Sequence, residues 1–196
     1  MGNESTIDRK RDLILEEERR FAHLVSQRVI DKPKLAVWMI LIPVFFVFYF
    51  WQLKRYADGR RNFAEKFLIT RKRAIEEAHR SISTGNGPDS EKLVQASDVP
   101  PQTRPVYRRW VILLIDHYRE LIRAHGSTYP ALVRSTYKNR TNYLLFLNSL
   151  NQAEREFDAA LKPLLEKTTE NVNGIIKQME ESTASIRRQR AEEIFP

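Results

Sequence analysis

No cysteine occurs in the 196-residue chain, which excludes disulfides, thiolate zinc sites, iron–sulfur ligation and cysteine nucleophiles together. Glycine and proline are sparse, 6 and 9 residues, while Leu, Arg, Glu, Lys, Ile and Ala abound, so the composition predicts an all-α fold with few turns. Signature motifs are missing too: there is no glycine-rich phosphate loop, no H-E-x-x-H and no serine in a strand-turn-helix setting. No catalytic, cofactor-binding or metal-ligating residue is therefore assigned, and the chain is read as a non-enzyme that needs no cofactor.

Charge is plentiful. A net charge of +8 and a pI near 9.8 suit an anionic partner, either nucleic-acid phosphate or anionic lipid headgroups. Placement of the charge favours lipid. Between Lys34 and Lys54 stand nineteen residues without a charge, Leu35 to Leu53, about 28 Å of helix at roughly 1.5 Å per residue against a hydrocarbon core of about 30 Å. Trp38 near one end and Phe50, Trp51 and Tyr56 near the other set aromatic rings at headgroup depth, and Lys32, Lys34, Lys54 and Arg55 bracket the run. A core helix of a water-soluble domain would show one apolar stripe rather than an apolar circumference. A cleaved signal peptide fits poorly, because acid-rich sequence precedes the run and aromatic and basic residues follow it.

The segment is read as a single membrane span. Pro43, near its middle, either kinks that span or breaks it into a re-entrant hairpin with both flanks on one side. Within twenty residues, the C-terminal flank carries eight basic residues (Lys54, Arg55, Arg60, Arg61, Lys66, Arg71, Lys72, Arg73) and the N-terminal flank five (Arg19, Arg20, Arg28, Lys32, Lys34). The positive-inside rule thus puts the bulk of the chain in the cytoplasm, on a plasma or inner membrane, by a narrow margin.

Five regions follow from patterning: a charged amphipathic N-terminal helix (1–34), the membrane segment (35–53), a basic juxtamembrane helix (54–82), a Pro/Gly linker (83–105) and a helical domain (106–196). In the first, Ser5 and Asp8 resemble a capping box, and Ile7, Ile14, Phe21, Leu24 and Val25 share a face. In the third, Lys54, Arg55, Arg60, Arg61, Arg71, Lys72 and Arg73 are expected at anionic headgroups. The linker reads as a mobile connection holding one short helix, Asp89 to Ala96. After it, Trp110, Leu114, Tyr118 and Leu121 keep three-four spacing to a stop at Gly126, and Pro130 opens a short helix ending near Asn139. From Thr141 to Glu193 the pattern predicts one long coiled-coil-like helix, kinked at Pro163, with Leu150, Phe157, Leu161 and Leu164 on a seam whose polar entries include Glu154, Thr168 and Ser182.

Several chemical candidates are weak. Glu76 and His79 form a lone E-x-x-H pair where a di-metal bundle needs two. Asp116, His117 and Glu120 lie within one helical turn but lack a nucleophile. Met1-Gly2 with Thr6 fits the permissive myristoylation pattern, and Asn139-Arg140-Thr141 is a sequon relevant only to a lumenal domain. The basic groups Arg104, Arg108, Arg109 and Arg187, Arg188, Arg190 have no interleaved aromatics or recognition-helix unit, which disfavours nucleic acid. The sequence therefore points to a membrane-anchored adaptor that acts through protein contacts or self-association of the helices after Pro105. A non-catalytic subunit of a larger membrane enzyme or transport complex is the first alternative, and a monotopic lipid-processing enzyme the second.

Overall fold

Helices α1 (Gly2–Ile30) and α2 (Gly59–Thr84) pair along their length in a computed structural model that describes residues 2–30, 59–166 and 172–196. They run antiparallel. Asp8 Oδ1 meets His79 Nε2 at 2.8 Å, Glu18 Oε2 meets Arg71 Nε at 3.1 Å, and the Phe21 and Phe67 rings stand 5.8 Å apart, so rising numbers on α1 face falling numbers on α2. From Phe21 to Ile30 is about 13 Å of helix and from Phe67 back to Gly59 about 12 Å; the ends of the two helices that flank residues 31–58 lie at the same end of the pair.

The remaining helices close around this pair: α3 (Ser90–Gln95), α4 (Arg104–Arg123), α5 (Tyr129–Tyr137), α6 (Arg140–Leu165) and α7 (Val172–Ile194). No strand occurs among the described residues, so the fold is an all-α bundle. Tyr107, Val111, Leu114, Ile115, Tyr118, Leu121 and Ile122 of α4 are at most 1 % exposed and meet Ile14 of α1, Ala74, Ile75 and Ala78 of α2 and Leu147, Leu150 and Phe157 of α6 in one core. Each such aliphatic or aromatic side chain, fully buried, stabilises the fold by roughly 1.5–3 kcal/mol. A second cluster, Phe21, Ala22, Val25, Phe67 and Ile186, lies nearer the Ile30 and Gly59 end.

Local chemistry explains the breaks. Thr128 and Asn139 cap α5 and α6, each side chain accepting from the backbone N–H three residues on (Ala131 and Asn142), and Pro130 occupies the first turn of α5. Gly126 follows α4 with φ +152°, and a Cβ there would stand 2.8 Å from the Ala131 Cβ, so only glycine lets the chain turn this tightly into α5.

Four sequence expectations are corrected. Helix α1 begins at Gly2, so Ser5 and Asp8 lie inside it and form no capping box. The N-terminal and juxtamembrane helices are not peripheral: both contribute to the one core shared with α4 and α6. The 83–105 linker is sealed to the bundle through Val94 and Val99, 3 % and 2 % exposed, on α3 and the stretch after it. Finally, the expected long helix is two. Helix α6 contains Pro163 and ends at Leu165, and α7 folds back antiparallel, with Arg155 Nε 3.5 Å from Glu180 Oε2 and Arg187 bonded to Asn151 and Glu154. The sequence at the break, Lys167 to Asn171, holds two threonines and an asparagine, poor helix formers, and Pro163 weakens the turn before it.

The membrane segment Leu35 to Leu53, with its markers Leu35, Trp38, Pro43, Phe50, Trp51 and Leu53 and the flanking Lys54 and Arg55, lies outside the described residues. Among the described residues no helix is long and apolar enough to cross a membrane.

Candidate functional site

The interior holds a line of charges. Arg71 of α2, 2 % exposed, is bracketed by two carboxylates: Glu18 of α1 at 3.1 Å and Glu154 of α6 at 2.5 Å. Its guanidinium also lies 4.2 Å from the Phe67 ring centroid, with Phe21 at 5.5 Å and Trp110 at 5.7 Å, so three aromatic faces support the one cation. Glu154 also accepts from Arg187 of α7, Nη1 donating to Oε2 at 2.6 Å and Nη2 to Oε1, the oxygen that Arg71 meets, at 2.9 Å; Asn151 accepts from the same guanidinium. Two arginines and two glutamates thus form a neutral chain joining α1, α2, α6 and α7.

Environment sets the ionisation of this chain. Burial pushes the Glu154 carboxyl up, but Arg187 and Arg71 outweigh it and hold Glu154 below the usual carboxylate range. Burial would lower Arg187, and Glu154 reverses that. Glu18 ends above the usual range because burial exceeds the pull of Arg71. Glu154 is the anion on which both cations converge.

One turn along α6 from Glu154 sits Asp158, 5 % exposed. Its carboxyl is raised well above the ordinary value by burial, then by Glu154 and Glu180, with Arg71 pulling weakly the other way. His117, two turns along α4 from Trp110, is another buried titratable group. Its Nδ1 lies 2.6 Å from the Tyr137 hydroxyl, and its ring stacks on Phe146 with centroids 4.3 Å apart.

Burial first, and the Arg187 charge second, lower the His117 pKa from 6.5 to about 3. The unfolded chain therefore takes up a proton that the folded one refuses, so this stabilisation is complete above pH 6.5 and is lost as pH falls toward 3. By pH 4 the loss from this residue amounts to about 3 kcal/mol. Urea unfolding from pH 7 to pH 4 should show that decline in the natural protein and a flatter profile in His117→Gln, which retains a hydrogen-bonding side chain without the proton site.

The structure disperses the other candidates. Asp116 and Glu120 are exposed and pair with Arg119 and Arg123, while His117 faces inward to Tyr137, so the three converge on nothing. His79 meets Asp8 instead of forming a site with Glu76, which is exposed. No group of three or more His, Asp or Glu able to hold a metal occurs among the described residues. Arg108 pairs with Glu91, Arg109 with Glu156 at 2.8 Å and Arg190 with Glu17, and Arg104 donates to the Val99 carbonyl; these cations are engaged inside the molecule.

Of the residues expected at headgroups, Arg71 is displaced outright: a side chain in the core with two carboxylate partners cannot reach a bilayer. Lys72 and Arg73 are exposed, and Arg73 donates to the Ala96 carbonyl. Arg60 and Arg61 fall in the first turn of α2. Among the residues expected to pack helices, Trp110, Leu114, Tyr118, Leu121, Leu150, Phe157 and Leu161 are buried, and Leu164 is partly buried against the same core.

Sequence reasoning missed the charge chain, although one signal was present: Glu154 interrupts an otherwise apolar series on α6. Asp158, Glu18 and Arg187 carried no such mark. Comparison with protein-family models, with curated proteins and with solved structures yields no match for this chain.

Proposed function

We propose that this protein is a non-enzymatic, membrane-anchored helical adaptor whose anchor enters and leaves the bilayer on the same side. The observation that carries the reading is the antiparallel pairing of α1 with α2, which brings Ile30 and Gly59 to one end of the bundle with the uncharged run Leu35 to Leu53 between them. A single crossing would put α1 and α2 on opposite sides of the membrane, where they could not share a core. The re-entrant geometry satisfies both facts: two arms of about nine residues around Pro43 reach about 14 Å, the depth of one leaflet.

This geometry also strengthens the orientation argument. Both basic flanks then lie on one face, so their charges act together under the positive-inside rule and favour the cytoplasmic side. Lys32, Lys34, Lys54 and Arg55 are the side chains nearest the run in sequence and the best candidates for anionic headgroups. The adaptor part rests on exposed apolar side chains of the helices after Pro105: Ile112 is 39 % exposed and Leu145 61 % exposed. An accessory subunit of a larger membrane complex would use the same surfaces.

Membrane retention tests the reading. The full chain is expected in the membrane pellet after an alkaline wash, and the double substitution Leu41→Arg/Phe46→Arg, costing about 2.5–3.5 kcal/mol per charge in hydrocarbon, is expected to shift most of it to the supernatant. A natural chain found in the supernatant, or a double variant as firmly retained as the natural chain, would reject the anchor.

A further inference from the structure

Between α2, α4, α6 and α7 lies a cleft of about 570 Å³, its open mouth included, with Phe67, Trp110, Phe157 and Met179 among its walls. Asp158 lines it as well, and makes no hydrogen bond or ion pair among the described residues despite being 5 % exposed. Neither Asp158 oxygen is among the fully enclosed polar atoms that lack a hydrogen bond, so the carboxyl opens onto the cleft while the rest of its side chain is covered. Across the cleft, Glu180 of α7 is partly exposed, and Arg155 lies 3.5 Å from it. Arg71, the other cation lining the cleft, is already held by Glu18 and Glu154.

The groups that face Asp158 leave it short of positive charge. Glu154 and Arg155 come from its own helix, Glu180 from α7 and Arg71 from α2, while α4 contributes the Trp110 ring. The pocket therefore combines apolar and aromatic walls with an unpaired acid and a second carboxylate at the mouth. That combination suits a cation carrying a carbon chain.

We propose that this cleft binds a primary alkylammonium group, its nitrogen seated between Asp158 and Glu180 and its chain resting on Phe67, Trp110, Phe157 and Met179. The binding neutralises the one buried acid among the described residues for which the structure gives no hydrogen bond or ion pair. Phe67 lies about 12 Å of helix from the start of α2, so the ammonium can come from a free amine or from the headgroup of an aminophospholipid.

Calorimetric titration of the full chain in a non-ionic detergent separates these sources. One arm uses n-butylammonium chloride against sodium chloride of equal concentration and against n-butanol; the other uses ethanolamine phospholipid against choline phospholipid in mixed micelles. Saturable binding of n-butylammonium, absent for n-butanol and at least tenfold weaker in Asp158→Asn, supports a free amine. Binding of the ethanolamine lipid alone, with the same dependence on Asp158, supports a headgroup. Should Asp158→Asn fail to fold, Glu180→Gln at the mouth is expected to weaken binding severalfold. No binding in either arm, or equal binding by the Asp158→Asn and Glu180→Gln variants, overturns the proposal.

Discussion

Replacing Glu154 by leucine is expected to destabilise the fold by about 3–5 kcal/mol, the cost of leaving buried charge without its counter-charge. Arg71 and Arg187 both converge on this carboxylate, at 2.5 and 2.6 Å, and their side chains are 2 % and 6 % exposed, so neither can recover water when it goes. Arg71 would keep Glu18; Arg187 would keep no carboxylate partner, only the Asn151 amide and the Phe21 ring. The double substitution Glu154→Leu/Arg187→Met removes one charge of each sign and leaves the Arg71–Glu18 pair neutral. It is therefore expected to unfold later than the single variant. Chemical denaturation of the three proteins in detergent measures both differences, and a double variant less stable than Glu154→Leu would show that the charges act independently.

Several of the arginines that make the chain basic are committed to partners within the molecule. Sequence counting treats every arginine as equally available, yet Arg71, Arg187 and Arg190 are spent on carboxylates inside the bundle, and Arg108 and Arg109 bridge to neighbouring elements. Lys72, Arg73 and Arg188 stay exposed, and Lys32, Lys34, Lys54 and Arg55 stand in sequence at the two flanks of the apolar run.

Much of the local structure was legible. The three-four spacing from Tyr107 to Ile122 marks the most buried helix, and the cap residues Thr128 and Asn139 sit where α5 and α6 begin. Periodicity, however, reports which face of a helix is apolar and never which helix covers it. For that reason the pairing of α1 with α2, separated by a membrane-length run, was invisible, and a juxtamembrane helix with an exposed basic face was expected where a core helix stands. The continuous seam from Leu147 to Ile186 failed for a related reason: α6 and α7 each keep an apolar stripe, and two antiparallel helices joined by a short break mimic one long helix. Asp158 was indistinguishable from a surface acid, since burial first, and the nearby Glu154 and Glu180 second, make it unusual.

The second large effect concerns sidedness, where the account allows one answer. A chain without cysteine accepts single reporters cleanly, and Ser5 on α1 and Ser83 on α2 are both exposed. Ser5→Cys and Ser83→Cys would be labelled separately with a membrane-impermeant maleimide, in intact cells and in inverted vesicles. Paired antiparallel helices joined through a re-entrant segment require both cysteines to react from the same side, and the basic flanks predict that they react only in the inverted vesicles. If one reacts from outside and the other from inside, residues 31–58 cross the bilayer, and α1 and α2 cannot form the core described above.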